Sequence, residues 1–363
     1  MCLMIGSMSA RVNMHDIAKR AKVSLGTVSN VMNGSAVVSE PLRRRVLQTI
    51  EELGYHPSQL ARALRRDSSN MIGMVVPDIT NPFFPALVRA VEDVAYSNLY
   101  RLVLCNSDND PQKEATYLRE LQSYLPAGLL LIAAVESKLT HPPVRNGRLT
   151  PTVCIDRKPQ GWKGDIIRTG NEAGAYSAAR HLIDYGHRRI GMIGGPSHLA
   201  NSQERLKGFR RALKEAKIEI PKAYIQIGNL DRASGLEAAL RLLRSPSRPT
   251  AIFAANDLMA MGALLAVREL GLHCPEDVSI VGFDNLDVAE LLMPPLTTIQ
   301  QPTYNLGVAA AELLLQRISG LTEPAREIIL ETKLIRRASV MRNASPSPTA
   351  PSMKRSARRA AAL

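Results

Sequence analysis

The chain has 363 residues, a formal net charge of +13 and a hydrophobic share of 45%. That length implies two or more domains, and that apolar share supports packed cores, which excludes a wholly disordered chain. No apolar run approaches the ~18 residues needed to span a bilayer. The four cysteines, Cys2, Cys105, Cys154 and Cys274, form neither a CxxC pair nor a His/Cys metal pattern. Cys105 and Cys154 lie in apolar runs and are expected as buried thiols, a usage that fits a reducing cytoplasm. The opening MCLMIGSMSA has no basic region and no long apolar core, so a secretory signal is not expected. The positive charge is uneven: residues 1–66 carry about +6, the stretch after Glu331 about +8, and the long middle is near neutral. The two basic ends suit a polyanion.

Residues 1–11 read as a disordered terminus. Residues 13–33, NMHDIAKRAKVSLGTVSNVMN, read as two short helices joined by a tight turn. Asn13 can cap the first, with Asp16 near its positive end. Ile17, Ala18 and Ala21 share one face. Ser24 can cap a second helix over 25–32, which Asn33 and Gly34 would end. Val23, Val28 and Val31 would pack it on the first. The polar face left over carries Ser24, Thr27, Ser29 and Asn30, which suits base edges and phosphates in a major groove. A third helix starts near Ser39 and Pro41, aligns Val46, Ile50 and Leu53, and ends at Gly54; Arg43, Arg44 and Arg45 crowd its start. Residues 12–57 thus read as a helix-turn-helix domain.

After His56 and Pro57 comes SQLARALRR, a helix over 58–66 too short to be stable alone. It would need a twin copy or DNA, and the region 58–70 reads as this helix plus a linker. From Met71 strands alternate with helices: strands at 71–77, 101–105, 127–133 and 151–156, with helices over 85–98 and 112–124. The order then begins again at 165–169 (DIIRT), with helices over 171–185, 202–217, 233–243, 257–270 and 304–319. The strands between them are RRIGMIGG, AYIQI, TAIFAA, DVSIVGFD and LTTIQ, and REIILETKLI follows as a last one. Two doubly wound parallel-sheet lobes with a cleft between them fit this α/β body, residues 71–342. Residues 343–363 are rich in Ser, Pro, Ala and Arg and read as a disordered basic tail. GMIGGP departs from GxGxxG, and no serine stands in a nucleophile elbow. No catalytic, cofactor or metal constellation is found, so neither an enzyme nor a cofactor protein is expected.

In this order, DIAKRAKVSLGTVSNVMNG, ELGYHPSQLARALR, IGMVVPDITNPFF, HLIDYGHRRIGMIGGP, SQERLKGF, AANDLMAMGAL, DVSIVGFDN and PLTTIQQP closely resemble the lactose-repressor (LacI/GalR) family over nearly the whole chain. The resemblance implies a homodimeric repressor on double-stranded operator DNA, with affinity set by a small sugar-like effector held in a periplasmic-binding-protein-like body. It places Leu25, Gly26 and Asn30 at base-reading positions and Ser24, Thr27, Ser29 and Asn33 near phosphates. Asn30 would suit adenine and Leu25 a thymine methyl. Leu64 matches a minor-groove wedge, with Arg62 beside it meeting phosphate. Lys22 replaces a glycine common in the helix-helix turn. The effector positions implied are Asn81, Phe83, Phe84, Asp156, Arg205, Asn256, Asp284 and Gln301, while Asp257 reads as a helix cap. Leu230 stands where several sugar-sensing relatives have an aromatic residue. Dimer contacts are expected on the helices around 88–98 and 114–124. The competing readings are a secreted solute-binding protein, opposed by the basic N-terminal region, and a dinucleotide enzyme, opposed by the missing fingerprint.

Overall fold

The structure is a computed structural model that describes residues 12–32, 38–55, 69–134, 137–139, 141–145 and 147–343. The chain divides into two compact units, Met1–Ser69 and Asn70–Leu363. The expected terminus at 1–11, the short helix at 58–66 and all but the first residue of the tail lie outside the described residues.

The first unit holds α1 (Met14–Ala21), α2 (Leu25–Met32) and α3 (Glu40–Glu52). Asn13 caps α1 reciprocally. Its side-chain oxygen accepts from the His15 N–H at 2.8 Å and the Asp16 N–H at 3.3 Å, and Asp16 accepts from the Asn13 N–H at 2.9 Å. These bonds satisfy donors that a helix start leaves unpaired. Lys22 ends α1 with φ 52° and ψ 48°. A side chain in that left-handed conformation costs roughly 1 kcal/mol. Ser24 Oγ accepts from the Thr27 N–H at 3.1 Å and so caps α2. The third helix starts where the sequence places it, and Ser39 occupies the cap position of α3 without a side-chain bond. Ile17, Ala21, Val28, Val31 and Val46 form the core, with Ile50 and Leu53 half-buried against it.

The second unit contains two six-stranded sheets. The first lobe takes β1 (Met71–Val76), α4 (Phe83–Ser97), β2 (Arg101–Asn106), α5 (Pro111–Ser123) and β3 (Gly128–Leu131). A small hairpin of β4 (Val144–Arg145) and β5 (Arg148–Leu149) precedes β6 (Thr152–Ile155) and β7 (Asp165–Thr169). The second lobe takes α6 (Asn171–Asp184), β8 (Ile190–Gly194), α7 (Ala200–Glu215), β9 (Ile225–Ile227), α8 (Arg232–Leu243), β10 (Ala251–Ala254), α9 (Asp257–Glu269), β11 (Ser279–Asp284) and β12 (Thr297–Gln300). The chain then returns through α10 (Thr303–Ile318) and β13 (Glu327–Leu330), and ends its regular structure at β14 (Lys333–Ile335).

Two expectations about this order are corrected. Strand β7 does not open the second lobe; it lies in the first sheet, whose order is β13-β7-β6-β3-β1-β2. REIILETKLI is not one strand. Its first part, β13, runs parallel to β7 in the first sheet. Its second part, β14, runs antiparallel to β12 in the second sheet, ordered β14-β12-β11-β10-β8-β9. The physical reason is that a local apolar pattern marks a buried strand without naming its neighbour. The chain therefore crosses between the lobes three times: after Thr169, after Gln300 and after Leu330.

Fully buried aliphatic residues fill each sheet's faces, as covered parallel sheets require. Helix α10 packs on α4 in the first lobe. Its last turn is clamped by Arg317, whose guanidinium donates to both Asp165 carboxylate oxygens at 2.7 and 2.8 Å. In the second lobe α7 lies close to α6, because a Cβ at Gly208 would overlap the Glu172 carbonyl. Cys154 is buried as expected, whereas Cys105 on edge strand β2 is only half-buried. Asn343, expected in the tail, is tied down by its N–H to the Tyr185 carbonyl at 2.8 Å. Among the described residues no helix is long and apolar enough to cross a membrane, and no group of three His, Cys, Asp or Glu could hold a metal ion.

Candidate effector cleft and DNA-contact helix

All eight expected effector residues, Asn81, Phe83, Phe84, Asp156, Arg205, Asn256, Asp284 and Gln301, line one cleft of about 520 Å³. The topology explains the convergence. Asp156 follows β6, Asn256 follows β10, Asp284 ends β11 and Gln301 follows β12, all at carboxyl ends of parallel strands. Such ends are where doubly wound sheets gather ligand groups. Parallel pairing of β11 with β12 sets Asp284 opposite Gln300, one residue before Gln301.

The polar groups are held mainly by each other. Gln301 Nε2 donates to Asp284 at 2.7 Å, and Gln301 Oε1 accepts from the Thr169 hydroxyl at 2.6 Å. Arg205 Nε donates to Asn171 Oδ1 at 2.8 Å, and its guanidinium also reaches the Ala255 carbonyl. That guanidinium stands 3.8 Å over the Phe283 ring and 4.0 Å from Asp284. Asn201 Nδ2 donates to Asp156 Oδ2 at 3.3 Å. The other Asp156 oxygen is buried with no partner among the described residues. An unpaired buried acceptor is costly, so this oxygen is open to a ligand's donor. Phe83 and Phe84 meet edge to face at 5.2 Å and give the wall an aromatic part.

Burial dominates the electrostatics. It lifts the Asp284 carboxyl well above the usual range, against the pull of Arg205 nearby. It lowers both Arg205 and Arg157, which adjacent carboxylates hold in the charged form. The backbone is strained at the same places. Asp156 (φ 56°), Leu230 (φ 65°), Asp284 (φ 124°) and Asn285 (φ 58°) all have positive φ. Such residues cost on the order of 1–3 kcal/mol each and persist only where the surroundings hold them.

The cleft also contains residues not singled out from sequence, among them Asp78, Asn109, Arg157, Asn201 and Asp231. Arg157 is buried beside Asp156 and lies 5.7 Å over the Phe84 ring. The only sequence signal for it is its place directly after a strand-end aspartate. Asp257, expected as a helix cap, is not one. Asn256 caps α9 by accepting from the Met259 N–H at 2.9 Å, and Asp257 is buried outside the cleft lining. Leu230 does line the cleft, and its carbonyl accepts from Asn256 Nδ2 at 2.8 Å.

On α2, Ser24, Leu25, Gly26 and Asn30 are exposed, and Thr27 and Ser29 are half-buried. Leu25 keeps 40% of its surface accessible, an apolar side chain held out to solvent. A Cβ at Gly26 would meet only Ser24 Oγ at 3.6 Å, so internal packing does not demand glycine there. Arg44 and Arg45 at the start of α3 are exposed. Asn33, Arg62 and Leu64 lie outside the described residues.

A helix-turn-helix unit followed by a two-lobed, cleft-bearing α/β body defines the class of bacterial regulators with a separate sensor. Comparison with known proteins agrees. Residues 13–58 match "Bacterial regulatory proteins, lacI family", and residues 179–340 match "Periplasmic binding protein-like domain". The chain is 38% identical over 326 residues to the HTH-type transcriptional repressor PurR of Photobacterium profundum, covering 90% of this chain and 97% of that one. It is 37% identical over 326 residues to the ribose operon repressor of Escherichia coli, covering 90% and 99%. The solved lac repressor dimer bound to operator and the anti-inducer ONPF superposes with a TM-score of 0.79 at 26% identity, covering 92% and 100%. The chain belongs to the lacI family of bacterial regulatory proteins.

Proposed function

We propose that this protein is a cytoplasmic transcriptional repressor that binds a pseudo-palindromic operator as a homodimer and is controlled by a small neutral sugar. The observation that carries the reading is the gathering of all eight expected effector residues around one cleft in a body that follows a helix-turn-helix unit. Carboxylates and amides there can take paired hydrogen bonds from neighbouring hydroxyls, two guanidinium groups can donate, and phenyl rings can cover an apolar sugar face. The charge balance favours a neutral ligand. Even with burial favouring the neutral Asp284 carboxyl, Asp78, Asp156 and Asp231 line the cleft beside Arg157 and Arg205, so the guanidinium groups are not surplus cations waiting for a phosphate. Similarity to a ribose operon repressor makes D-ribose the first probe.

Leu25, Gly26 and Asn30 read bases in this proposal, while Ser24, Thr27, Ser29 and Asn33 meet the backbone. Arg62 and Leu64 engage the minor groove. An apolar strip supports the dimer: Tyr96, Leu99, Val103, Leu104 and Tyr124 are exposed along edge strand β2 and the ends of the two helices flanking it. An uncovered apolar edge is a ready pairing surface. Ligand in the cleft would favour one relative lobe position and so shift the population competent for DNA. The test is a gel shift of fragments from the protein's own promoter, with and without D-ribose. Sequence-selective, salt-sensitive binding altered by ribose is expected; binding to none of these fragments refutes the reading.

A further inference from the structure

Asp257 is a fully buried carboxylate that does not line the cleft, although its neighbours Asn256 and Leu258 do. One of its oxygens accepts from the Thr298 hydroxyl at 2.6 Å, and the other accepts from the Leu286 N–H at 2.8 Å. It occupies space that the sequence leaves open, because a Cβ at Gly282 would overlap Asp257 Oδ1. The bonds therefore run from the first turn of α9 to strand β12 and to the turn after β11. That turn is the strained one, with Asp284 at φ 124° and Asn285 at φ 58°. Its other ties are Gln301, through its side chain to the Asp284 carboxylate and its N–H to the Asp284 carbonyl at 3.2 Å, the Asn285 N–H to the Thr298 hydroxyl at 3.4 Å, and Arg337 to Asn285 Oδ1 at 2.8 Å.

We propose that Asp257 is the positioning residue for Asp284: it never touches ligand, but it holds the Asp284–Leu286 turn in the conformation that turns the Asp284 carboxylate into the cleft. This rests on the cleft being the effector site. The argument is geometric. The Leu286 N–H is buried with its acceptor and follows the two strained residues directly, so losing that acceptor releases the turn at its far end. Asparagine at 257 keeps the shape but offers a single acceptor oxygen for two donors.

The charged groups around the pair give an independent readout. Asp284 is faced by Arg205 from α7, Asp156 after β6 and Asp257 from α9; Asp257 is faced by Arg337 after β14. Burial raises both carboxyls, and the Asp257 charge raises Asp284 further. Removing that charge makes Asp284 easier to ionise, so Asp284 must titrate at lower pH in Asp257→Asn.

The experiment uses the full chain, D-ribose as probe and carbon-13-labelled aspartate, with the Asp284 carboxyl resonance assigned by its loss in Asp284→Asn. In Asp257→Asn, calorimetry is expected to show at least tenfold weaker ribose binding, a melting temperature within a few degrees of wild type and a downshifted Asp284 titration. Thr298→Val, which keeps the charge but removes one of its donors and the Thr298 acceptor of the Asn285 N–H, is expected to weaken binding about threefold. Unchanged ribose affinity in Asp257→Asn overturns the proposal. So does a loss of affinity that merely tracks a loss of melting temperature with the Asp284 titration unmoved. Should Asp257→Asn fail to fold, unchanged affinity in Thr298→Val overturns it. Should wild type bind no ribose, the sugar reading fails by itself, and hydrogen exchange of the Leu286 amide, which donates to Asp257, decides the positioning role: unchanged protection in Asp257→Asn overturns it.

Discussion

The exposed face of α2 and the interlobe cleft both present polar side chains, but they hold them differently. On α2 the satisfied groups bond locally: Ser24 serves the Thr27 N–H and its hydroxyl, all within one turn. In the cleft the bonds join distant parts of the chain, as in Thr169 to Gln301 and Arg205 to Asn171. Local satisfaction leaves a face whose residues can change at little cost to the fold. Long-range satisfaction ties Arg205, Asp284 and Gln301 into the architecture, so the binding role proposed for them cannot be altered without touching the fold.

The strongest break in this contrast is Arg205→Ala. Removing a buried guanidinium leaves Asn171 Oδ1 and the Ala255 carbonyl without their donor and takes from Asp284 the cation that favours its charged form. A loss of about 3–5 kcal/mol in urea unfolding is expected, together with loss of ribose binding in calorimetry. Asn30→Ala is the counterpart on α2. Its exposure predicts an unchanged melting temperature, while operator affinity in a gel shift falls roughly ten- to a hundredfold, the ~1–3 kcal/mol of a paired base contact.

Gly26→Ala sharpens the contrast further, because stability and binding should move in opposite directions. The site has room for a Cβ, and in this first turn of α2 alanine gains about 0.4–1 kcal/mol over glycine, chiefly by restricting the unfolded chain. The melting temperature of the first unit should rise while selection from randomised operators changes at the base pair facing this position. The smallest effect concerns pH. Burial lowers the His181 imidazole to about 4, well below its ordinary value. The unfolded chain then binds more protons than the folded one, so stability is complete above about pH 6.5 and declines as pH falls toward 4. Melting temperatures between pH 7 and 5 should fall less steeply in His181→Gln than in wild type.

Legibility follows the same division. The Asn13–Asp16 cap, the Ser24 cap and the Val28/Val31 face are properties of a few adjacent residues, and they are readable from them. The eight cleft residues are legible through family likeness, which strand ends reinforce for Asp156, Asn256 and Asp284; Arg205, inside α7, carries no such local mark. Arg157 and Asn201 escape sequence reasoning because nothing local separates a buried, shared polar side chain from a solvated one. The place of β7 in the first sheet is illegible for a related reason: DIIRT says "strand" without saying beside which partner. Asp257 is misread as a cap because a helix-start aspartate usually caps, and only the tertiary fold brings Thr298 and Leu286 within its reach.

The threefold crossing between the lobes has a consequence for biosynthesis. The first lobe takes its final edge strand, β13, and the covering helix α10 from residues made after nearly all of the second lobe. On the ribosome the opening sheet must wait, one edge unpaired and one apolar face covered only by α4, until translation has passed Leu330. At roughly 5–20 residues per second, the stretch from β7 to β13 takes on the order of ten to thirty seconds. Through that window the nascent body exposes an unpaired edge and apolar surface, the kind of species that aggregates unless it is shielded.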